Sequence, residues 1–568
     1  MQGFEKGPIP GEGWPPGGVR GVGLFYGRLH EKEGLRLARM LWLKTWRGNP
    51  PGSGLVLFGL LAASVMAIPI LYVIWRSLFA GAERWLRLLD ERIPQLLWNT
   101  LSLTAAVTAC AVIVGASLAW LVLRTDVPGR KVWRWLLAVP LVIPPYVGAV
   151  TYIITFGRSG WARSIWQGFP WLAGNLGDYP VDIFSFWGVA FVLSAFTYPY
   201  IYLMAGASLR KLNSSYEEAA RSLGMGTFQV FWRVNLPLLR PAIGAGAILV
   251  SLYVLSDFGA VSMLRYVTFT AAIYFQRAGY DTASAAVLSL VLIVLTVIIL
   301  WGESYSRRKN RYYQTAGTFR EPAILPLGRW KPLALLYVGA VFALSVALPV
   351  SVLAYWANMG IRMGALDQRF LGFAVNTLQV SGLAALLCML SAMPVIYLKS
   401  RHPSPISGFI DRLAYAGYAL PGVIVALGFI FIFNNHIPAL YRTFYMVALV
   451  FVVRFLPQAM QAGEAGLSLI SPRVDEAARS LGYPPWKVML RVILPNMLPG
   501  VLTGGALVFV SSVRELPVTL MLRSAGFDTL AVRVYFEAHE ALYHQAAPAA
   551  LLIILLSIIP LRLMLSRY

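Results

Sequence analysis

Apolar stretches of about 20 residues recur along the whole chain, and most of them contain hardly any charged side chain. A helix of about 20 apolar residues is long enough to cross the hydrocarbon core of a bilayer. Of the 568 residues, 58% are hydrophobic and only 13% are charged, which is too apolar for a soluble chain of this size. The sequence therefore predicts an all-α integral membrane protein.

We predict about twelve transmembrane helices. The predicted spans are 55–79, 98–123, 135–156, 186–207, 242–262, 284–302, 332–356, 374–398, 411–433, 442–462, 500–520 and 547–565. With the amino terminus inside, the cytoplasmic segments contain about three Lys or Arg for each one outside, as the positive-inside rule requires. Both termini are therefore expected in the cytoplasm. The net charge of +23 then follows from topology, and no nucleic-acid partner is expected.

The two halves of the chain repeat each other. WNTLSLTAA at 98–106 matches VNTLQVSGL at 375–383, a separation of 277 residues. Farther along, EEAARSLG at 217–224 matches DEAARSLG at 475–482, a separation of 258. Self-similarity of this extent predicts two homologous halves of about six helices each, related by a pseudo-two-fold axis.

The separation between matching residues falls from 277 to 258, so the first half contains about 19 additional residues. We assign them to the predicted outer loop 158–183. The predicted layout is a basic cytoplasmic arm at 1–54, a first half at 55–302, a cytoplasmic linker at 303–331 and a second half at 332–568. Within the arm, residues 29–47 are expected to form a basic amphipathic helix on the inner membrane face; the alternatives are that they bind a partner or are partly disordered.

A polar element interrupts the apolar pattern at the same place in both halves, at 213–241 and at 471–499. Each copy is predicted to be a helix, a glycine turn and a second helix that the following Leu-Pro pair ends. The predicted N-caps and left-handed glycines are Asn213 with Gly224 and Ser471 with Gly482. Two i,i+4 ion pairs, Glu217–Arg221 and Asp475–Arg479, are predicted to stabilise the first helix of each copy.

The repeated polar element resembles the EAA loop of ATP-binding-cassette importer permeases. The shared pattern begins with Glu-Ala-Ala, and a Gly follows after three intervening residues. After nine more residues come an aliphatic residue, one residue of any type and a Leu-Pro pair. The chain contains this pattern twice. The resemblance implies that each loop docks into a cytosolic ATPase. The coupling residues it identifies are Glu218, Ala219, Ala220, Gly224 and Phe228 in the first loop and Glu476, Ala477, Ala478, Gly482 and Trp486 in the second.

The same resemblance implies partners and a location: two copies of the ATPase, an extracytoplasmic substrate-binding protein and the bilayer of a bacterial inner membrane. No G-x-x-x-x-G-K-[ST] motif occurs in the chain, so ATP is expected to be bound and hydrolysed on a separate subunit. We therefore expect a transport subunit rather than an enzyme, with no cofactor of its own.

Two segments, 256–275 and 514–536, are similar to the corresponding parts of ferric-iron importer permeases. The resemblance implies Fe(III) as the cargo, with thiamine, a polyamine such as putrescine, or sulfate as alternatives within the same class. An ion-coupled secondary transporter and an integral-membrane enzyme are the alternatives outside that class. The first would have no reason to repeat a cytoplasmic docking element, and no catalytic constellation supports the second.

Four charged residues fall near the inner portions of spans 5, 10 and 11, where charge is expensive unless it has a function or a partner. They are Asp257, Arg454, Arg514 and Glu515. One interpretation places them on a translocation pathway, because carboxylate oxygens suit a hard cation such as Fe(III). The other makes them structural ion pairs between helices or places them at an outer membrane edge. The five histidines are scattered, so no permanent metal site is expected.

Overall fold

The computed structural model describes residues 45–46, 50–169, 171, 178–309, 324–417 and 420–565. Over these residues the structure is built from helices, and an isolated bridge between Thr125 and Leu325 is the one β feature that they contain. The predicted arm helix at 29–47 lies almost wholly outside the described residues.

Thirteen α-helices are described in the first half, and several of them are short. They are α1 Ser53–Leu78, α2 Ala82–Glu91, α3 Ile93–Arg124, α4 Arg130–Leu136, α5 Pro145–Phe156, α6 Trp161–Gly168, α7 Phe186–Lys211, α8 Ser215–Ser222, α9 Thr227–Val230, α10 Leu236–Ser256, α11 Gly259–Met263, α12 Phe269–Ala278 and α13 Thr282–Lys309.

The second half repeats this order. Its helices are α14 Lys331–Phe342, α15 Leu348–Arg362, α16 Gln368–Arg401, α17 Pro405–Ala416, α18 Gly422–His436, α19 Phe444–Ser468, α20 Pro472–Ser480, α21 Pro485–Val488, α22 Leu494–Val513, α23 Pro517–Leu522, α24 Leu530–His539 and α25 Tyr543–Leu565.

Nine helices of the described part are long and apolar enough to cross a membrane, or ten when a pair bent by 94° between Val142 and Pro145 is counted as one span. Two shorter apolar helices, Gly422–His436 and Tyr543–Ile558, lie where the sequence predicts the ninth and twelfth spans. Each predicted span therefore coincides with a helix or a broken pair, and the all-helical membrane fold in two halves is confirmed.

The outer loop of the first half is longer than its counterpart, as the sequence predicts. The chain between Phe156 and Phe186 contains α6, whereas only a short connection joins His436 to Phe444. The additional residues thus lie outside the repeated spans.

Spans 5 and 11 differ from their predicted bounds. The fifth ends at Ser256 rather than 262, and the eleventh ends at Val513 rather than 520. At the end of the fifth span, Asp257 accepts the N–H groups of Ala260 and Val261 in α11 at 3.0 and 3.2 Å. At the end of the eleventh span, Glu515 accepts the N–H of Val518 in α23 at 3.4 Å. Each carboxylate therefore bonds to the short helix that follows the span.

The Leu-Pro pairs do not end the second helix of each polar element, which corrects that prediction. The helix continues through a π turn, Phe231–Asn235 or Met489–Ile493, directly into α10 or α22. A π turn widens the hydrogen-bonding ring, which accommodates the missing N–H and the bulk of Pro237 or Pro495. The polar element and the following span are therefore one continuous helical rod.

The halves interdigitate through their first spans. Helix α1 packs against α17 and α18 of the second half, and α15 packs against α5 of the first half. Within each half the second span is central, since α3 packs against α7 and α10 as α16 packs against α19 and α22. The repeated packing confirms a pseudo-symmetric pair of helical bundles.

One glycine permits the close contact between α15 and α25. A Cβ on Gly360 would lie 1.9 Å from the backbone oxygen of His544, which cannot move aside as a side chain would. We expect Gly360→Ala to destabilise the protein by about 1–3 kcal/mol, as overpacking does. The control is Gly382→Ala in α16, where a Cβ would meet nothing within 4 Å. Thermal unfolding in detergent should separate the variants, and equal melting temperatures would contradict the packing.

The segment that enters the second half is fastened to the loop after α3. Leu325 donates its N–H to the carbonyl of Arg124 at 2.8 Å, and Leu327 donates to Asp126 Oδ1 at the same distance. Lys331 Nζ lies 2.7 Å from Asp126 Oδ2. We call these contacts the strap.

The hydrogen bonds from Lys331 and Leu327 hold the pKa of Asp126 below its usual value. A lowered pKa means that the carboxylate stabilises the strap at neutral pH and that this contribution is lost as acid protonates Asp126 at a pH below its ordinary range. We expect Asp126→Asn at pH 7 to speed hydrogen exchange at the Leu325 and Leu327 amides. Unchanged exchange at both amides would show that Asp126 does not hold the strap.

Candidate functional site

Each polar element forms a hairpin whose first helix ends in the same turn. In the first hairpin, Gly224 donates its N–H to the carbonyl of Arg221 at 2.9 Å, and Met225 donates to that of Ala220 at 3.1 Å. This is the Schellman pattern, which requires a left-handed residue. Gly224 supplies it with φ of +81°, and Gly482 does the same in the second hairpin with φ of +83°. The predicted glycine turn is confirmed in both copies.

The starts of the two first helices agree with the sequence in one copy only. Ser471 accepts the N–H of Arg473 at 3.4 Å, as predicted for an N-cap. In the first hairpin the N-cap position is Ser214 rather than Asn213. The side-chain oxygen of Asn213 instead accepts the N–H and the hydroxyl of Ser215. Asn213 thus provides a hydrogen-bond acceptor for the first helical N–H from the position before the N-cap.

The exposed face of each first helix contains part of the predicted contact set. Glu218, Ala219, Glu476 and Ala477 are exposed. Ala220 and Ala478, the other alanines of the two pairs, are buried within the chain, and their predicted role in coupling remains a prediction. They are buried because they lie one helical turn after an inward-facing acidic residue, on the same side of the helix.

Two exposed leucines were not singled out from the sequence. Leu223 is 80% exposed and Leu481 is 79% exposed, each directly before the left-handed glycine. Trp486, in the second helix of the second hairpin, is 61% exposed. The backbone of Phe228 lies in α9, and its side chain is outside the described part of the structure. Apolar side chains on an otherwise polar hairpin are typical of a contact surface. An apolar residue repeated at the last helical position was the signal available in the sequence.

The predicted ion pairs within the first helices are wrong. Glu217 bonds to Arg124 at the end of α3 instead of to Arg221, at 2.5 Å. Asp475 bonds to Arg401 at the end of α16, at 3.2 Å. Each hairpin therefore presents one acidic residue to solvent and turns the preceding one toward the membrane-spanning helices.

A cavity of about 220 Å³ lies between the two halves. The structure brings all four predicted charged residues to its wall: Asp257, Arg454, Arg514 and Glu515. Asp257 and Glu515, which occupy equivalent positions of the repeat, both follow the break in their span. The cavity is thus formed where spans 5 and 11 turn.

The charges on this wall are also held by the protein itself. Arg454 Nε lies 3.4 Å from Glu515 Oε2, which is an ion pair between α19 and the turn after α22. Arg514 donates to the carbonyl of Leu141, across the boundary between the halves. Asp257 pairs with no cation among the described residues and binds backbone N–H groups instead. The ion-pair interpretation therefore applies to Arg454 and Glu515, and those two residues still line the cavity.

The two sides of the cavity differ in chemistry although their positions are equivalent. The second half supplies Arg454, Gln458 and Ser511. At the same positions of the repeat, 258 residues earlier, the first half supplies Phe196, Tyr200 and Tyr253, which also line the cavity. We call the three first-half side chains the aromatic wall and the three second-half side chains the opposite wall; Asp257 of the first half also lines the cavity.

No group of three or more His, Cys, Asp or Glu side chains that could hold a metal ion occurs within the described ranges. The expectation that the chain has no permanent metal site remains a prediction.

Comparison with known proteins gives a match to the family described as binding-protein-dependent transport system inner membrane component. It matches twice, over residues 111–312 and 384–566, one match in each half. The two matches contain the two hairpins and the residues of the cavity.

Individual relatives extend over one or both halves. An Fe(3+)-transport system permease protein of Haemophilus influenzae is 32% identical over 521 residues, which are 90% of this chain and 98% of that protein. A thiamine transport system permease protein of Salmonella typhimurium is 25% identical over 90% of this chain and 96% of its own length. A sulfate transport system permease protein of Synechocystis is 29% identical over 42% of this chain and 85% of its own length. The chain therefore belongs to the family of binding-protein-dependent transport system inner membrane components, with the family domain present twice.

Proposed function

We propose that this chain is the permease subunit of an ATP-driven, binding-protein-dependent importer of Fe(III). It resides in a bacterial inner membrane with both termini in the cytoplasm. The observation that carries the proposal is the pair of hairpins, each with an exposed acidic residue and an exposed leucine at the same turn. A polar hairpin that both halves retain, while the spans around it differ in sequence, suits two copies of one partner.

The partner of each hairpin is a cytosolic ATPase. Leu223 and Leu481 supply the apolar contact, and Trp486 adds a large aromatic side chain of the kind that dominates interface energetics. Glu218 and Glu476 are exposed and place a carboxylate on the surface of each hairpin, which suits a basic residue of the partner. ATP is bound and hydrolysed by the two ATPase copies, and this chain contributes no cofactor.

Movement of the ATPase pair is transmitted through the hairpins. Because α9 continues through a π turn into α10, and α21 into α22, a displaced hairpin carries the fifth or eleventh span with it. Those spans end beside Asp257 and Glu515 at the cavity. The geometry thus supports alternating access, in which cargo released by an extracytoplasmic binding protein enters the cavity and leaves on the other side.

The choice of Fe(III) rests on the relatives. The Haemophilus influenzae protein named for Fe(3+) transport aligns along nearly its whole length at 32% identity. The protein named for thiamine aligns over as much of the chain at 25% identity, and the one named for sulfate aligns over a single half. Carboxylate, amide and hydroxyl oxygens on the cavity wall are ligands suited to a hard cation in transit.

The test is uptake by proteoliposomes that contain the chain with its ATPase, offered binding proteins loaded with Fe(III), thiamine, putrescine or sulfate in parallel. We expect ATP-dependent uptake with the Fe(III)-loaded binding protein alone. Uptake of another cargo instead would reject Fe(III) and retain the importer. Uptake driven by an ion gradient without ATPase would reject the importer.

A further inference from the structure

Each hairpin is joined to the membrane-spanning part of its own half by one buried ion pair. Arg124, the last residue of α3, donates from Nη2 to Glu217 Oε1 at 2.5 Å, and the two side chains are 1% and 6% exposed. Arg401, the last residue of α16, donates from Nε to Asp475 Oδ2 at 3.2 Å, with exposures of 9% and 6%. Both pairs thus connect a hairpin to the end of a second span.

The two ion pairs also occupy equivalent positions of the sequence repeat. Arg124 and Arg401 are separated by 277 residues, the separation of the matched sequences near the start of α3 and α16. Glu217 and Asp475 are separated by 258, as are the hairpins. The same connection is therefore built twice from residues that are distant in sequence.

Burial makes these connections resistant to separation. Parting Glu217 from Arg124 would leave a carboxylate and a guanidinium out of water without a counter-charge, which is strongly unfavourable. The guanidinium also lies at the carboxyl end of α3, where the helix dipole favours a cation. The hairpin and the second span are consequently expected to move together.

We propose that Arg124 and Arg401 are positioning residues that transmit hairpin movement into α3 and α16. This inference rests on the proposed importer function. Helix α3 packs against α7 and α10, which carry the aromatic wall of the cavity. Helix α16 packs in the same way against α19 and α22, which carry the opposite wall. Each hairpin therefore reaches the cavity by a second route besides the continuous rod through its π turn.

The two connections are supported differently. The carbonyl of Arg124 also accepts the N–H of Leu325, so the first connection holds the strap as well as the hairpin. In the second half, Asp475 additionally accepts the hydroxyl of Tyr397 at 3.1 Å, and Arg479 donates to that hydroxyl at 3.2 Å. Among the described residues, Arg124 is the side chain that bonds to Glu217, so Arg124 is the site at which one substitution tests the connection most directly.

The experiment measures cargo imported per ATP hydrolysed, in proteoliposomes that contain the full chain, its ATPase and Fe(III)-loaded binding protein. The variants are Arg124→Gln, the doubly neutral Arg124→Gln with Glu217→Gln, and the control Arg412→Gln. Arg412 is an exposed arginine of α17, outside both hairpins, and undergoes the same change of charge. Co-purification of the ATPase is measured for each variant.

We expect both Arg124 variants to retain bound ATPase and ATP hydrolysis but to lose about tenfold in cargo per ATP, a typical size for coupling between sites. Arg412→Gln should match the unmodified chain. The doubly neutral variant keeps the test valid if Arg124→Gln alone fails to fold, because it buries no unpaired charge.

An unchanged ratio of cargo to ATP in the doubly neutral variant would overturn the inference. Loss of ATPase binding in that variant would also overturn it, because the pair would then serve only to fold the hairpin. Failure of the unmodified chain to import Fe(III) would instead reject the proposed function, so the two failures are distinguishable.

Discussion

Replacing both hairpin glycines and both exposed acidic residues should reduce uptake to background while leaving the protein inserted in the membrane. The variant is Glu218→Ala, Gly224→Val, Glu476→Ala and Gly482→Val. Valine at a φ above +80° costs about 1–2 kcal/mol at each turn, so the Schellman ends should open and the leucines before them should move. A Cβ at either glycine would meet nothing within 4 Å, so the effect cannot arise from a clash inside the chain.

The matched control is Gly226→Ala, since Gly226 lies in the same hairpin and a Cβ there also meets nothing within 4 Å. It lacks a left-handed conformation, and we expect uptake close to that of the unmodified chain. ATP-dependent uptake and the amount of protein in the membrane should be measured together. Full uptake by the quadruple variant with its ATPase bound would show that the glycine turns do not couple the two proteins.

Arg454→Gln should strongly destabilise the protein. Arg454 and Glu515 are 16% and 8% exposed, and removing one member of a buried ion pair costs about 3–5 kcal/mol because the other charge loses its partner. Thermal unfolding in detergent should show a lower melting temperature, and uptake should fall with it. The double variant Arg454→Gln with Glu515→Gln should regain most of the stability.

The equivalent carboxylate of the first half provides the comparison. Asp257 has no cation among its described partners and accepts two backbone N–H groups, which an asparagine oxygen could also accept. Asp257→Asn should therefore lower the melting temperature much less than Arg454→Gln. If the two variants melt alike, the ion pair does not stabilise the boundary of the cavity. If the double variant is stable and still transports at the full rate, these charges are structural only.

Sequence patterns predicted the features that depend on local composition or on the repeat. Apolar windows located the spans, and the drop in repeat separation located the longer outer loop of the first half. The left-handed turns at Gly224 and Gly482 followed from the preference of that conformation for glycine.

Features that depend on distant partners were not predictable in this way. The i,i+4 rule suggested Arg221 as the partner of Glu217, but the partner is Arg124, 93 residues away in sequence. The sequence is apolar on both sides of Asp257, so hydropathy does not indicate that the fifth span ends at Ser256. The backbone hydrogen bonds that Asp257 accepts show this end. The helix through Pro237 continues because a π turn precedes it, which the proline alone does not indicate.

The most direct test of the account is crosslinking between the hairpins and an ATPase. A photoreactive amino acid would replace Leu223 or Leu481 in the assembled transporter, and Tyr280, which is 88% exposed on a predicted outer loop, would be the control position. We predict a crosslink to the ATPase from each hairpin and none from position 280. An inserted, assembled protein that gives no crosslink from either hairpin would contradict the claim that the repeated hairpins bind the ATPase.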